Sequence, residues 1–345
     1  MRLDDFDYAL PPERIAQTPV EPRDAARLLV DRGDPAVSPP TDAHVRDLPS
    51  LVSPGDVVVV NDTRVMPARL RLARRTGGAV ELLLLEPRDA GRLRWEALVR
   101  PGGKLREGEE LVAPDGAAAV AMGPRTAAGD TFEVTLLPRA GGRVDDLLER
   151  LGETPLPPYI TTALARRERY QTVYAREGHS AAAPTAGLHF TAELLAALER
   201  RGVGIVRVEL TVGLDTFQPV TADDPRRHAM HTESYRVPAA TLDACRACRA
   251  AGGRVLAVGT TAVRALESAA RGETEGRTRL FIHRGFEFEV VDRLLTNFHL
   301  PRTTLLMLVD AFVGPRWRAL YAHAIASGYR MLSFGDAMLL DRHVR

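Results

Sequence analysis

Lysine is nearly absent: Lys104 is the only one among the 46 basic residues of this 345-residue chain. The arginine excess reads mainly as a genomic composition bias, but it excludes lysine Schiff-base chemistry at every other position. Cysteine is scarce too. Two thiols, Cys245 and Cys248, cannot frame a disulfide-stapled fold, and their scarcity points to a reducing compartment. Their CxxC spacing falls on an Ala- and Arg-rich stretch that reads as helix. It lacks the βαβ context or second ligand pair of a redox or metal site, so no metal is expected. Charge of one sign is also missing. With a formal charge of +1, no overall field draws the chain to nucleic acid or membrane, and any polyanion contact must come from local patches. No apolar run approaches the ~20 residues of a membrane span. The acidic start MRLDDFDYAL carries no basic-then-apolar signal. A cytoplasmic protein without a membrane partner is expected.

What is present is an ordinary globular composition, 45% hydrophobic and 26% charged, in a chain long enough for a main domain plus a smaller one. The first ~60 residues are rich in proline and turn signals, with one extended strand at 57–60. From there to about residue 137, short strand patterns follow one another between Gly, Pro and Asp turns: ARLRLARR, AVELLLLEP, LRWEALVRP, GEELVAP, AAAVAMGP and TFEVTLLP. Their spacing predicts a barrel or curled sheet of about six antiparallel strands. Beyond 151 the texture alternates between helix and strand. Helices are predicted at 192–201, 242–251, 262–271, 303–313 and 316–326, and strands at 204–212, 254–258, 279–283, 286–291 and 330–334. The expected architecture is a discontinuous α/β domain, residues 1–63 plus 151–345. An all-β domain, residues 64–150, interrupts it after its first strand.

Four apolar runs end abruptly in tight polar clusters: VVVVNDTR at 57–64, AAPTAGLHFT at 182–191, VLAVGTTAVRALE at 255–267 and LLTNFHLPRTT at 294–304. A core does not need polar groups where its strands stop, whereas a ligand site beyond the carboxyl ends of strands does. Thr260 and Thr261 open a helix whose first-turn amides suit a carboxylate or phosphate, and Arg264 lies one turn on. A capped strand-to-helix turn with a surface arginine is the plainer reading. His189 titrates near neutrality among the small residues Thr185 and Gly187, and acts either as base or donor, or bonds a nearby backbone group. Asn297 and His299 end another strand before a proline stop. His228 and His231 form an HxxH followed by Glu233, without a matching third metal ligand. Asp336 follows the last predicted strand as a base or as the cap of a turn. Arg69, Arg71, Arg74 and Arg75, with no acid among them, and Lys104 in a second basic turn suit phosphate contacts or form a solvated strand face.

Taken together, eight strings in order resemble the S-adenosylmethionine:tRNA ribosyltransferase-isomerase family of queuosine biosynthesis, nearly end to end. They are DFDYALPPERIAQTP, VVNDTRVMPARL, LPPYI with YQTVYA, APTAGLHFT, HAMHTESY, VGTTAVRALES, TNFHLPRTTLLMLVDAF and YRMLSFGDAML. The chain departs from the family pattern at Thr162, Arg166, Asp215, His283 and Arg284. The resemblance implies an α/β domain with an inserted β-barrel, no cofactor beyond S-adenosylmethionine as co-substrate, and tRNA carrying the modified wobble base as partner, acted on by a monomer. It implies transfer and isomerisation of the ribosyl group of S-adenosylmethionine onto 7-aminomethyl-7-deazaguanine in the anticodon. Under it, His189 or Asp336 is the expected base, and His299 or His231 assists the departing adenine. Thr260, Thr261 and Arg264 hold the methionine carboxylate, while Asn61, Asp62 and Arg64 lie at the hinge to the barrel. Thr185, Gly187, His228, Glu233 and Asn297 complete the expected substrate contacts, and Arg69, Arg71, Arg74, Arg75 and Lys104 the tRNA contacts. The alternatives are a paralogue acting on another nucleobase or small molecule, and a non-catalytic tRNA-binding protein.

Overall fold

A computed structural model describes residues 1–33, 39–103, 105–126, 131–139, 141–176, 180–211, 224–227, 230 and 232–343. Contacts divide the chain into two compact units. One comprises Met1–Arg64, Pro157–Gly178 and Ala183–Arg345; the other comprises Val65–Leu156 and His179–Ala182. Lys104, His228, His231 and Asp215 lie outside the described residues.

In chain order, β1 (Arg27–Asp31), β2 (Thr41–His44), the short helix α1 (Leu48–Leu51) and β3 (Val57–Asn61) come first. Strands β4 (Arg69–Arg74), β5 (Ala79–Pro87), β6 (Arg94–Arg100), β7 (Glu110–Val112), β8 (Ala118–Arg125) and β9 (Thr131–Leu136) follow, then helix α2 (Val144–Leu151) and β10 (Gly152–Glu153). The chain continues through α3 (Ala192–Arg200), β11 (Gly204–Leu210), β12 (Glu233–Arg236), α4 (Ala239–Ala250), β13 (Val255–Val258) and α5 (Thr260–Arg271). It closes with β14 (Glu275–Thr278), β15 (Arg293–Asn297), α6 (Thr304–Val313), α7 (Trp317–Ala326) and β16 (Ala337–Asp341).

The first unit is built on a nine-stranded sheet in the order β14-β12-β11-β3-β13-β15-β16-β1-β2. Its centre, β11, β3, β13 and β15, is parallel. Every residue of β3, β13 and β15 is buried, as expected of parallel strands covered on both faces. Alternate residues point to opposite sides. Val58, Val60, Leu256, Val258, Leu295 and Leu339 therefore share one face and pack with Phe190, Leu194 and Leu198 at and within α3. The sheet is mixed at its margins, where β15 pairs antiparallel with β16, and β12 pairs antiparallel with β11 and β14.

The second unit closes as a six-stranded antiparallel barrel because β4 pairs with both β5 and β7, and β10 adds a short strand to β4. Alternation carries Leu70, Leu72, Trp95, Ala97 and Val99 inward. All six predicted barrel strands form. Residues 151–156, assigned from sequence to the α/β part, group with the barrel.

Three expectations are corrected. The barrel follows the third strand rather than the first, since β1 and β2 form within the turn-rich N-terminal segment. No strand forms at 279–283 or 286–291. Instead, the buried Glu267 carboxylate accepts the amides of Glu289, Val290 and Val291 at 2.9, 3.0 and 3.1 Å, which takes those donors out of any ladder. Residues 330–334 are likewise not a strand: Leu332 has φ +68°, outside the extended region. The last strand is β16, so Asp336 immediately precedes it.

Candidate functional site

The main pocket lies within the first unit, beyond the carboxyl ends of β13 and β15. It is an open cavity of about 580 Å³, mouth included, walled by Tyr159, Thr185, Thr260, Thr261, Asn297, His299 and Ser333. Gly259 makes the turn from β13 into α5 with φ +90°, a conformation that any side chain would strain. It caps the helix without a side chain, so the first-turn amides of α5 point outward without intrahelical acceptors. Thr261 is buried, and its Oγ1 has no hydrogen-bond partner among the described residues. Free amides, a helix dipole and an unspent hydroxyl make this corner suited to an anion.

Asn297 organises the opposite wall. Its Oδ1 accepts from Thr185 Oγ1 at 2.9 Å, while its Nδ2 donates to the Leu332 carbonyl at 3.2 Å. With the amide so oriented, the same Nδ2 faces His189 Nε2 at 3.1 Å, so that nitrogen accepts and the ring proton sits on Nδ1. His189 is buried. Desolvation lowers its pKa to about 4, helped by the guanidinium groups of Arg23, Arg330 and Arg169. It is therefore neutral at pH 7. His299 is pushed down further, to about 3, by burial alone. Its Nε2 lies 2.9 Å from Thr296 Oγ1, and its carbonyl accepts from Tyr8 Oη at 2.6 Å. Opposite, Tyr159 and Ser333 hydrogen-bond through their hydroxyls at 2.7 Å.

Thr185, Thr260, Thr261, Asn297 and His299 thus share one cavity, with His189 held behind Asn297. The remaining sequence candidates have other surroundings. Asp336 is buried with Oδ1 accepting the amide of Arg27 at 2.9 Å and Oδ2 that of Arg330 at 2.8 Å. Burial raises its pKa; Oδ2 serves the 330–336 turn and Oδ1 ties that turn to the start of β1. Arg264 does not line the pocket; it forms a buried ion pair with Glu233 at 2.5 Å. Asn61, fully buried, mimics a peptide: Oδ1 accepts from Thr63 and Leu210 amides, each at 3.2 Å, and Nδ2 donates to the Leu210 carbonyl at 3.0 Å. Asp62 is half-buried, with its pKa raised by desolvation against the pull of Arg207, 3.6 Å away. Arg64 is exposed.

Gly187 serves a close approach. A Cβ there would lie 1.9 Å from Tyr174 Oη and 2.9 Å from Thr172 Cγ2. On the barrel, each arginine of the basic strand meets an acid from a neighbouring strand: Arg69 with Glu81, Arg71 with Glu153 at 3.0 Å, Arg74 with Glu109 at 2.6 Å and Arg75 with Glu110 at 2.7 Å. Cys245 and Cys248 are free and buried on α4, and Cys248 Sγ donates to the Gly55 carbonyl at 3.2 Å. Sequence reasoning missed the roles of Tyr159, Ser333, Arg23 and Arg169. LPPYI and SFGD were visible as strings, but only the fold brings Tyr159 and Ser333 together.

The fold and pocket define an α/β enzyme with a strand-end cavity and a second, closed-barrel unit. A family model described as queuosine biosynthesis protein matches residues 3–340. An S-adenosylmethionine:tRNA ribosyltransferase-isomerase of Symbiobacterium thermophilum is 53% identical over 350 residues, covering 99% of this chain and 100% of the relative. One from Anaeromyxobacter sp. is 51% identical over 350 residues, covering 99% of each. Among solved structures, the S-adenosylmethionine tRNA ribosyltransferase of Thermotoga maritima is similar at a TM-score of 0.54 and 37% identity, over 97% of this chain and 99% of its own. The chain belongs to the queuosine biosynthesis protein family.

Proposed function

We propose that the chain transfers and isomerises the ribosyl group of S-adenosylmethionine onto 7-aminomethyl-7-deazaguanine at the tRNA wobble position, yielding epoxyqueuosine, adenine and methionine. What supports this reading most is the convergence of Thr185, Thr260, Thr261, Asn297 and His299 on one strand-end pocket, in a chain 53% identical across its length to a ribosyltransferase-isomerase.

The chemistry asks for few protein groups. A sulfonium acidifies the adjacent ribose 5′ carbon, so one positioned neutral base starts the reaction by forming an ylide. His189 is neutral, with Nε2 its basic nitrogen, and to take the 5′ proton that nitrogen exchanges its hydrogen bond from Asn297 for the substrate. The methionine carboxylate belongs at the start of α5, on the free amides and the Thr261 hydroxyl. In this reading His299, neutral and in the pocket wall, hydrogen-bonds the departing adenine. The aminomethyl nitrogen then needs proximity more than activation. In this reading no cofactor beyond S-adenosylmethionine is used, and the enzyme acts in the cytoplasm as a monomer.

The test is adenine release from S-adenosylmethionine with tRNA bearing the aminomethyl-deazaguanine, run beside the free base. Wild-type protein is expected to release adenine with the tRNA. Release with the free base alone identifies a different acceptor, and salt-sensitive tRNA binding without release ends the catalytic reading. His189→Ala should abolish release while leaving the unfolding transition intact; near-normal turnover eliminates His189 as the base.

A further inference from the structure

A smaller pocket in the first unit touches the main one through Ser333. Val20, Arg23, Arg169, His189 and Phe334 also line it. Its charge is unusual. Arg23 makes three hydrogen bonds, all to backbone carbonyls: Gln171 at 2.8 Å, Leu188 at 3.1 Å and Glu168 at 2.8 Å. Arg169 is buried and donates to the Val20 carbonyl at 2.7 Å. Arg330 donates to the Thr18 carbonyl. The acid that pairs here is Glu21, an exposed side chain 2.6 Å from Arg169 Nε and shared with Arg166 at 3.1 Å. Asp336 has both carboxylate oxygens on backbone amides.

Carbonyl dipoles orient guanidinium groups without cancelling their charge, so this corner holds more positive charge than its acids neutralise. The barrel arginines differ, each having a carboxylate of its own. Arg23 retains its Nε–H and one Nη2–H beyond the bonds given above, and a planar fork matches a phosphate better than a point charge does. The neutral His189 beside them adds no charge of its own and is itself destabilised as a cation there.

We propose that this pocket binds a phosphate group of the RNA, held by Arg23 and Arg169, next to the nucleotide whose base enters the main pocket across Ser333. The proposal rests on the reading of the chain as a tRNA-modifying enzyme. A phosphate fits better than the methionine carboxylate, which the start of α5 already answers. The phosphate also supplies the anion that the His189 corner lacks.

The experiment is equilibrium binding of the tRNA substrate to the full-length protein across a potassium chloride series, for wild type, Arg169→Gln and Arg169→Lys. Loss of one phosphate contact should weaken binding about ten-fold and flatten the slope of log affinity against log salt by about 0.7–0.9, with Arg169→Lys retaining most of the slope. The concentration of S-adenosylmethionine giving half-maximal adenine release should move less than two-fold. Inorganic phosphate, at constant ionic strength, should compete with tRNA on the wild-type protein and not with S-adenosylmethionine. This arm stands even where Arg169→Gln fails to fold. An unchanged salt slope in folded Arg169→Gln, or phosphate that does not compete with tRNA, overturns the phosphate site. Wild-type protein that releases no adenine overturns the enzymatic reading instead.

Discussion

Gly187→Ala tests how the Thr185–His189 turn is held. The added methyl would sit 1.9 Å from Tyr174 Oη and 2.9 Å from both Tyr174 Cζ and Thr172 Cγ2, against the 3.4 Å or more of ordinary contact. Tyr174 cannot swing away freely, because it is buried and packs edge-on against Phe190 at 6.1 Å between centroids. Overpacking of this size costs roughly 3 kcal/mol. Tyr174 Oη has no hydrogen-bond partner among the described residues, so Tyr174→Phe alone should change stability by less than about 1 kcal/mol. In the double variant the deepest clash is gone and only the milder ones with Tyr174 Cζ and Thr172 Cγ2 remain, so the two substitutions should couple favourably by about 1–2 kcal/mol. Urea midpoints of the four proteins measure this, and adenine release reports whether Thr185 and His189 return to position. A folded Gly187→Ala protein as stable as wild type, or a coupling of zero, refutes the reasoning.

Thr261→Val removes a buried hydroxyl with no partner among the described residues, so the unfolding midpoint should hold or rise. Affinity for S-adenosylmethionine should fall about ten-fold or more, as for a lost hydrogen bond to a charged group; unchanged affinity removes Thr261 from the carboxylate site. Glu267→Gln leaves one acceptor oxygen for the Val290 and Val291 amides but turns its NH₂ toward the Glu289 amide and the Arg271 guanidinium, so it should cost about 1–3 kcal/mol in urea denaturation; an unchanged midpoint contradicts the role given to this carboxylate. His189 and His299 have pKa values of about 4 and about 3 against 6.5 when unfolded, so below pH 6.5 the unfolded chain binds protons that the native protein does not. Stability therefore falls as pH drops from 6.5 toward 4, by about 1.4 kcal/mol per histidine at pH 5.5 relative to 7.5, and a flat urea midpoint over that range would exclude neutral burial of both.

Much of the fold is legible in the residues because period and composition act locally. Leu70, Leu72, Trp95, Ala97 and Val99 alternate with less buried, mostly polar neighbours, and the turns between them leave little choice but short antiparallel strands. The apolar runs of β3 and β13, Val57–Val60 and Val255–Val258, announce a sheet covered on both faces. The expected strand at 286–291 failed for a non-local reason. The amides of Glu289, Val290 and Val291 have a better acceptor in Glu267, on a helix more than 20 residues earlier. A propensity summed over neighbours cannot register a buried carboxylate supplied from α5. The 330–334 segment fails because the Asp336 carboxylate draws the Arg330 amide into a turn while its other oxygen holds the Arg27 amide at the start of β1.

The site divides along the same line. Gly259-Thr260-Thr261 and Asn297 are readable because a strand that ends in polar residues needs a reason, and both reach the pocket. Arg264 had the right spacing for an anion yet pairs with Glu233, a residue 31 positions earlier whose approach only the sheet order β12-β11-β3-β13 creates. The barrel arginines looked uncompensated because their acids come from neighbouring strands, whereas Arg23 and Arg169 drew no notice, though carbonyls rather than carboxylates hold most of their bonds. An arginine's value to a polyanion depends on what already neutralises it, and that is a property of three-dimensional neighbours. By this criterion the stripe that sequence favours for RNA contact is the more spent of the two. A charge-reversal scan should therefore weaken tRNA binding more at Arg23 and Arg169 than at Arg71 and Arg75.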